Sequence, residues 1–201
     1  MSRPAIFLDR DGVLVEEVFY PESGEWEAPW RADDVRLIPG AAAAARALAE
    51  AGYALVLVSN QAAYAKGKTS LRDLWLAHER FAALLSRDGV VLDGVYYAYG
   101  HPEGIVPAFT GPSLDRKPGP YNLFIASARL GLDLARSWMV GDRETDVECA
   151  LAAGATPVLV ENQQVHYAAT RAKFRAKDLT ETATMIIQAD YDVRKYVVPG
   201  R

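Results

Sequence analysis

One unbroken apolar run, Tyr53-Ala-Leu-Val-Leu-Val58, limits the fold more than any other feature of the chain. Its residues do not alternate with polar ones, which is the pattern of a strand covered on both faces and so of a parallel sheet interior. Apolar runs and helix-period segments then follow one another along the sequence, as βαβ units require. Strands are expected at 5–9, 53–58, 95–99, 137–140 and 156–160, and helices at 41–51, 70–87, 119–130, 144–153 and around 180–188. The 201 residues suit a single α/β domain over 1–189. The remaining stretch, 190–201, reads as a tail whose Tyr191, Tyr196, Val197 and Val198 are available to dock on this chain or another.

Composition narrows the function classes. No apolar stretch approaches the roughly 18 residues of a membrane span, and the start lacks a long apolar segment before a cleavage site. The single cysteine, Cys149, excludes an internal disulfide and a multi-cysteine metal cage. It reads as a small core residue in a cytoplasmic protein. With 22 basic against 26 acidic residues the net charge is −4, which disfavours a nucleic acid as partner. No membrane partner is expected, and the chain is expected as a monomer or small homo-oligomer.

The polar groups fall where strands end. Asp9 ends the first strand, Ser59 the second, and Asp142 follows the fourth, so these side chains, distant in sequence, can meet at the carboxyl edge of the sheet, where open α/β folds bind ligands. Asp9 and Asp11 stand at i and i+2, which on an extended backbone directs both carboxylates the same way, and Gly12 permits a sharp departure. Two acids so close need a cation between them or a proton on one. Mg²⁺ suits this best, since it takes one or two carboxylates and keeps positions for water and substrate oxygens. With Asp9 as nucleophile and Asp11 as acid/base, phosphoryl transfer needs further groups to neutralise the equatorial oxygens, for which Lys117 and Ser59 are the candidates.

In order and at plausible intervals, Asp9-x-Asp11-Gly12, Ser59-Asn60-Gln61, Arg116-Lys117-Pro118 and Gly141-Asp142-x-x-x-Asp146 resemble the four motifs of the haloacid dehalogenase superfamily of phosphatases. Phe-Leu-Asp-Arg-Asp-Gly, Val-Ser-Asn-Gln, Lys66-Gly67, Leu92-Asp-Gly-Val-Tyr-Tyr97 and Arg-Lys-Pro-Gly are similar to the branch that holds heptose bisphosphate and histidinol-phosphate phosphatases. The resemblance implies a Rossmann-like parallel sheet with helices on both faces and no large cap domain. It also implies Mg²⁺-dependent phosphomonoester hydrolysis through phospho-Asp9. Asp9, the Asp11 carbonyl and Asp142 would bind the metal, and Asp11 would protonate the leaving oxygen. Ser59 and Lys117 would hold the transferring group, with Asn60 and Gln61 on the same edge. Arg116 and Arg143 would recognise the rest of the substrate, and Asp146 would orient Lys117 or a metal-bound water. The leading substrate is D-glycero-D-manno-heptose 1,7-bisphosphate, losing its 7-phosphate. Histidinol phosphate is the alternative, a polynucleotide 3′-phosphate end is third, and a phospho-accepting binding module is the reading from another class.

The sequence also departs from that branch. Where its members carry a Cys-x-His and Cys-x-Cys zinc loop, the matching positions are Ala98, Gly100, Ser113 and Asp115, so no structural zinc is expected and the loop 100–115 should be held by packing. Glu16, Glu17, Glu22, Glu25 and Glu27 read as a solvated excursion, in which Trp26 and Trp30 are candidates to cover a substrate. Arg171, Lys173, Arg175 and Lys177 read as charges scattered around a helix. Ala62 to Thr69 ends like a phosphate-binding loop, but Ala62 replaces the first glycine and its Cβ impedes the turn.

Overall fold

The computed structural model describes residues 2–165 and 169–196, and the tail residues Val197 and Val198 lie outside them. Six strands form one wholly parallel sheet: β1 (Ala5–Leu8), β4 (Ala54–Asn60), β5 (Gly94–Ala98), β6 (Trp138–Gly141), β7 (Thr156–Val160) and β8 (Phe174–Ala176). Their order across the sheet is β5-β4-β1-β6-β7-β8. The chain runs outward from β1 in both directions, so β1 marks the point where the strand order reverses and a crevice opens beyond the strand ends. A two-stranded antiparallel hairpin, β2 (Val18–Tyr20) and β3 (Glu25–Glu27), stands apart from the sheet.

Each face of the sheet has its own core. Ile6, Leu8, Leu55 and Leu57 point to the side covered by α1 (Ala41–Glu50), α2 (Leu71–Arg87) and α5 (Leu179–Tyr196), where they meet Leu48, Phe81 and Ile186. Alternate residues Ala5, Phe7, Val56 and Val58 face the other side, packed by α3 (Tyr121–Leu130) and α4 (Glu144–Ala153) through Leu123, Ala126 and Cys149. The lack of alternation in the β4 sequence thus has its cause in two covered faces. Burying one such leucine or phenylalanine contributes about 2 kcal/mol.

The helices start and stop by local chemistry. Ser70 caps α2 by accepting from the Asp73 N–H at 3.1 Å, and Leu74, Ala77, Phe81 and Leu85 form its buried stripe. Asp146 caps α4 in reverse, its Oδ2 accepting from the Arg143 N–H at 3.0 Å.

Two expectations need correction, and one gains detail. The stretch from Arg171 to Lys177 contains strand β8 rather than helix, and its two-residue spacing puts Ala176 in the core while Arg175 faces solvent. Helix α5 continues to Tyr196, well past 188, so the first residues of the expected tail are helical. Hydrogen bonds as well as packing hold the loop 100–115: the Ile105 and Val106 N–H groups both donate to the Ala65 carbonyl (2.7 and 3.2 Å), and His101 N–H donates to the Phe109 carbonyl. Among the described residues no helix is long and apolar enough to cross a membrane.

Candidate active site

Three neighbouring strands deliver the polar groups. Asp9 follows β1 directly and its N–H donates to the Val140 carbonyl of β6, which seats it at the sheet centre. Ser59 and Asn60 end β4 on one side, with Gln61 just beyond, and Asp142 follows β6 on the other. Gly12, at φ +76°, lets the chain turn away where a Cβ would run into the Asp142 carboxylate. Gly141 is needed for the same reason, because its Cβ would overlap the side chain of Asp146.

Lys117 reaches in from the loop before α3 and is 3% exposed. Its Nζ lies 2.9 Å from Asp9 Oδ1 and 2.6 Å from Asp146 Oδ1, and donates to the Val58 carbonyl at 2.8 Å. Burial by itself would weaken the ammonium, but Asp146 and then Asp9 reverse this and hold its proton more tightly than in free lysine. Asp9 Oδ1 also accepts from the Arg10 N–H at 2.7 Å, so this oxygen is engaged twice and Oδ2 is left for the cleft.

The remaining acids differ in their surroundings. Asp11 meets a buried cation, Arg10, whose Nε donates to Oδ1 at 2.9 Å, while Gln61 Nε2 donates to Oδ2 at 2.6 Å and Ser59 Oγ stands 3.4 Å away. Burial raises its proton affinity, Arg10 opposes this and Asp9 adds to it, and the net direction is upward. Asp142 accepts from Asn162 Nδ2 at 2.6 Å and lies 3.8 Å from Arg143 Nε. Burial, then Asp9 and Asp146, push its proton affinity well above the carboxylate range. Asp146 is raised to about 6, chiefly by burial.

Ligand oxygens of Asp9, Asp142 and Asp146 lie within 4.8 Å of one another. A buried set of hard oxygen donors, two of them with proton affinity raised first by burial and then by neighbouring acids, fits a hard divalent cation and not a soft one. Asp146 is committed to Lys117 and to the Arg143 N–H, so Asp9 and Asp142 are the carboxylates of the set that would hold it.

The cleft above these groups has a volume of about 320 Å³, and Asp9, Asp11, Asn60, Gln61, Arg116, Lys117 and Arg143 all line it. Ser59 and Asp142 sit behind the lining, buried. The Asn60 amide is bonded to the Lys117 backbone on both sides, at 3.0 and 3.1 Å, and so fixes the loop that carries Lys117. Trp26 stands at the cleft mouth, whereas Trp30 is buried against Tyr20 with ring centroids 3.5 Å apart and cannot cover a ligand there.

Sequence reasoning missed Arg10, Glu17 and Asn162. Arg10 looked like a spacer between two acids. Glu17, read as solvated, has a side chain only 5% exposed, paired with Arg143 at 2.7 Å and accepting from Asn162 at 3.1 Å. Nothing local in the sequence joins positions 17, 143 and 162.

A family model described as HAD-hydrolase-like matches residues 114–184. Over 165 residues the chain is 42% identical to the D-glycero-D-manno-heptose-1,7-bisphosphate 7-phosphatase of Thermosynechococcus vestitus, covering 80% of each chain. The chain belongs to the haloacid dehalogenase-like phosphatases. This phosphatase is also 40% identical over 160 residues to the D-glycero-beta-D-manno-heptose-1,7-bisphosphate 7-phosphatase of Yersinia pestis, covering 79% of this chain and 81% of that one. Among solved structures it is similar to the D,D-heptose 1,7-bisphosphate phosphatase of B. bronchiseptica, complexed with magnesium and phosphate. That likeness has a TM-score of 0.76 and 25% identity and covers 92% and 99% of the two chains. Among the described residues of the phosphatase no large cap covers the cleft, and the hairpin lines one side of it.

Proposed function

We propose that this phosphatase removes the 7-phosphate of D-glycero-D-manno-heptose 1,7-bisphosphate in the cytoplasm, through phospho-Asp9 and with Mg²⁺. The observation that carries the chemistry is the pairing of Asp9, one oxygen held by Lys117 and the Arg10 N–H, with Asp11, a buried acid two residues away in the same cleft. The substrate rests on relatives that share up to 42% identity over most of their length.

Asp9 Oδ2 attacks phosphorus while the bond to the sugar oxygen breaks, and Asp11 gives its proton to that oxygen. Asp11 then takes a proton from a water whose oxygen attacks phosphorus, releasing inorganic phosphate and restoring Asp9. Raised proton affinity suits Asp11 to the first half of this exchange, and the bonds from Gln61 and Arg10 keep it aimed. Lys117 faces the transferring group and offsets its charge, worth several kcal/mol in such a water-poor site, while Ser59 behind it supports Asp11 and Gln61. Asp9, Asp142 and the Asp11 carbonyl would hold Mg²⁺, which when bound neutralises phosphoryl oxygens. Asp146 keeps Lys117 in place.

Phosphate release with Mg²⁺ from both anomers of the heptose bisphosphate, from histidinol phosphate and from a 3′-phosphorylated oligonucleotide tests the assignment, with Asp9→Asn as blank. The heptose ester should lead in kcat/KM by about 100-fold, the discrimination that pocket contacts of this kind supply. A lead by histidinol phosphate would transfer the assignment, and no turnover of any ester would overturn it.

A further inference from the structure

Arg10 aims Asp11, and part of what aims Arg10 lies outside the four motifs. Its Nε donates to Asp11 Oδ1 at 2.9 Å, while Nη2 donates to Gln61 Oε1 at 2.9 Å and to the Pro29 carbonyl at 3.1 Å. That leaves Nη1. The side chain is 1% exposed, so its donors must find their acceptors within the protein. The guanidinium is also hydrogen-bonded to the Tyr97 hydroxyl, and its Cζ stands 5.9 Å from the centroid of that ring.

Tyr97 of β5 pairs with Ser59 of β4 in the register of the sheet, at the end where the strands deliver the site residues. Its hydroxyl lies 3.0 Å from Nδ1 of His78 on α2, and the two rings meet edge to face with centroids 5.5 Å apart. Elementary chemistry fixes the direction of these bonds. A guanidinium only donates, so the Tyr97 oxygen accepts from Arg10 and turns its own proton toward His78, whose Nδ1 accepts. Burial lowers the proton affinity of His78, Glu79 opposes this and Arg10 adds to it, which suits a neutral acceptor. The series His78, Tyr97, Arg10, Asp11 thus has one donor and one acceptor at each contact. Among the described residues that line the cleft neither Tyr97 nor His78 is found, so both reach the reaction through Arg10.

From this series of bonds we infer that Tyr97 is a positioning residue for proton transfer to the leaving oxygen: it fixes the plane of the Arg10 guanidinium, and the guanidinium fixes the direction of the Asp11 carboxyl. The inference rests on the acid role given to Asp11 above and adds to it a residue of β5 that touches neither substrate nor metal. Without the Tyr97 hydroxyl the guanidinium keeps its charge but loses one of the acceptors that hold its plane. Asp11 then keeps its counter-ion and loses its aim. A small misplacement of a catalytic group slows the step it serves while leaving the fold in place.

The test measures kcat/KM with Mg²⁺ for phenyl, p-nitrophenyl and 2,4-dinitrophenyl phosphate, whose leaving oxygens need an added proton progressively less. Wild type, Tyr97→Phe, Asp11→Asn and the double variant are compared. Tyr97→Phe should lose about 10-fold on phenyl phosphate and little on the dinitrophenyl ester, so that the dependence on the leaving group steepens. Asp11→Asn should steepen it further, and in that background Tyr97→Phe should cost nothing more, because it acts through Asp11. An equal loss on all three esters in Tyr97→Phe, no loss on any, or losses that add in the double variant would overturn the positioning role. The two readings fail differently: an Asp11→Asn enzyme with the wild-type dependence on the leaving group removes the acid role itself and the inference with it. A steepened Asp11→Asn beside an unaltered Tyr97→Phe removes the inference alone.

Discussion

Asp11 and Asp142 are both buried acids within reach of Asp9, and they are provided for in opposite ways. Asp11 is surrounded by donors, an arginine and a glutamine on one oxygen each. Asp142 shares its side of the cleft with Asp9 and Asp146, whose charges add to the effect of burial. An acid wrapped in donors has a fixed direction and can exchange a proton repeatedly. An acid crowded by other acids is stabilised by a cation, and the neighbouring oxygens supply the rest of its coordination. Two acids of one site thus take different work from their surroundings.

The largest expected effect lies at the group both acids serve. Asp9→Asn should lower kcat by at least about 10⁴-fold with an unchanged thermal midpoint, because it removes the nucleophile while keeping its shape. Residual turnover near the wild-type level in a phosphate-release assay would mean another group attacks. Arg10→Met should cost about 3 kcal/mol in urea unfolding, since it leaves a buried carboxylate without its cation. An unaltered unfolding midpoint would show that Asp11 needs no counter-charge and would erase the contrast with Asp142.

Smaller changes sharpen it. Asn162 touches Asp142 and not Asp11, so Asn162→Ala should weaken Mg²⁺ activation about 10-fold in apparent affinity while kcat at saturating metal stays close to wild type. A loss of kcat with no change in metal affinity would place Asn162 elsewhere in the reaction. The smallest effect concerns His78, whose Nδ1 lies 3.0 Å from the Tyr97 hydroxyl behind Arg10. Burial lowers its proton affinity, with Arg10 acting in the same direction and Glu79 against it. A depressed histidine binds fewer protons folded than unfolded, so stability is full above the ordinary value near 6.5 and declines as pH falls below it. His78→Phe should flatten that decline between pH 7 and 5 in thermal melts; an unchanged slope would assign it to other groups.

Much of this was legible in the sequence, for identifiable reasons. The strands around the cleft are apolar on both faces, α1 to α4 each bury an apolar face, and α2 and α4 carry their own caps, so local pattern and tertiary context agree. The hairpin was not legible because three-residue strands in a polar stretch leave too little pattern to read. Strand β8 was missed for another reason: its basic residues recur every second position, the period of a strand, and were read as helix surface. At the site, strand-ending acids announce themselves, whereas Arg10, Glu17 and Asn162 gain their roles from partners that only the fold brings near.

The division between the two acids is tested most directly by calorimetric titration of Mg²⁺ into Asp11→Asn and Asp142→Asn, each set beside phosphate release. Both variants should lose turnover, but Asp11→Asn should bind Mg²⁺ about as tightly as wild type, since on the proposed reading Asp11 offers the metal only its backbone carbonyl, while Asp142→Asn should show no measurable binding. Equal Mg²⁺ affinity in the two variants would contradict the account.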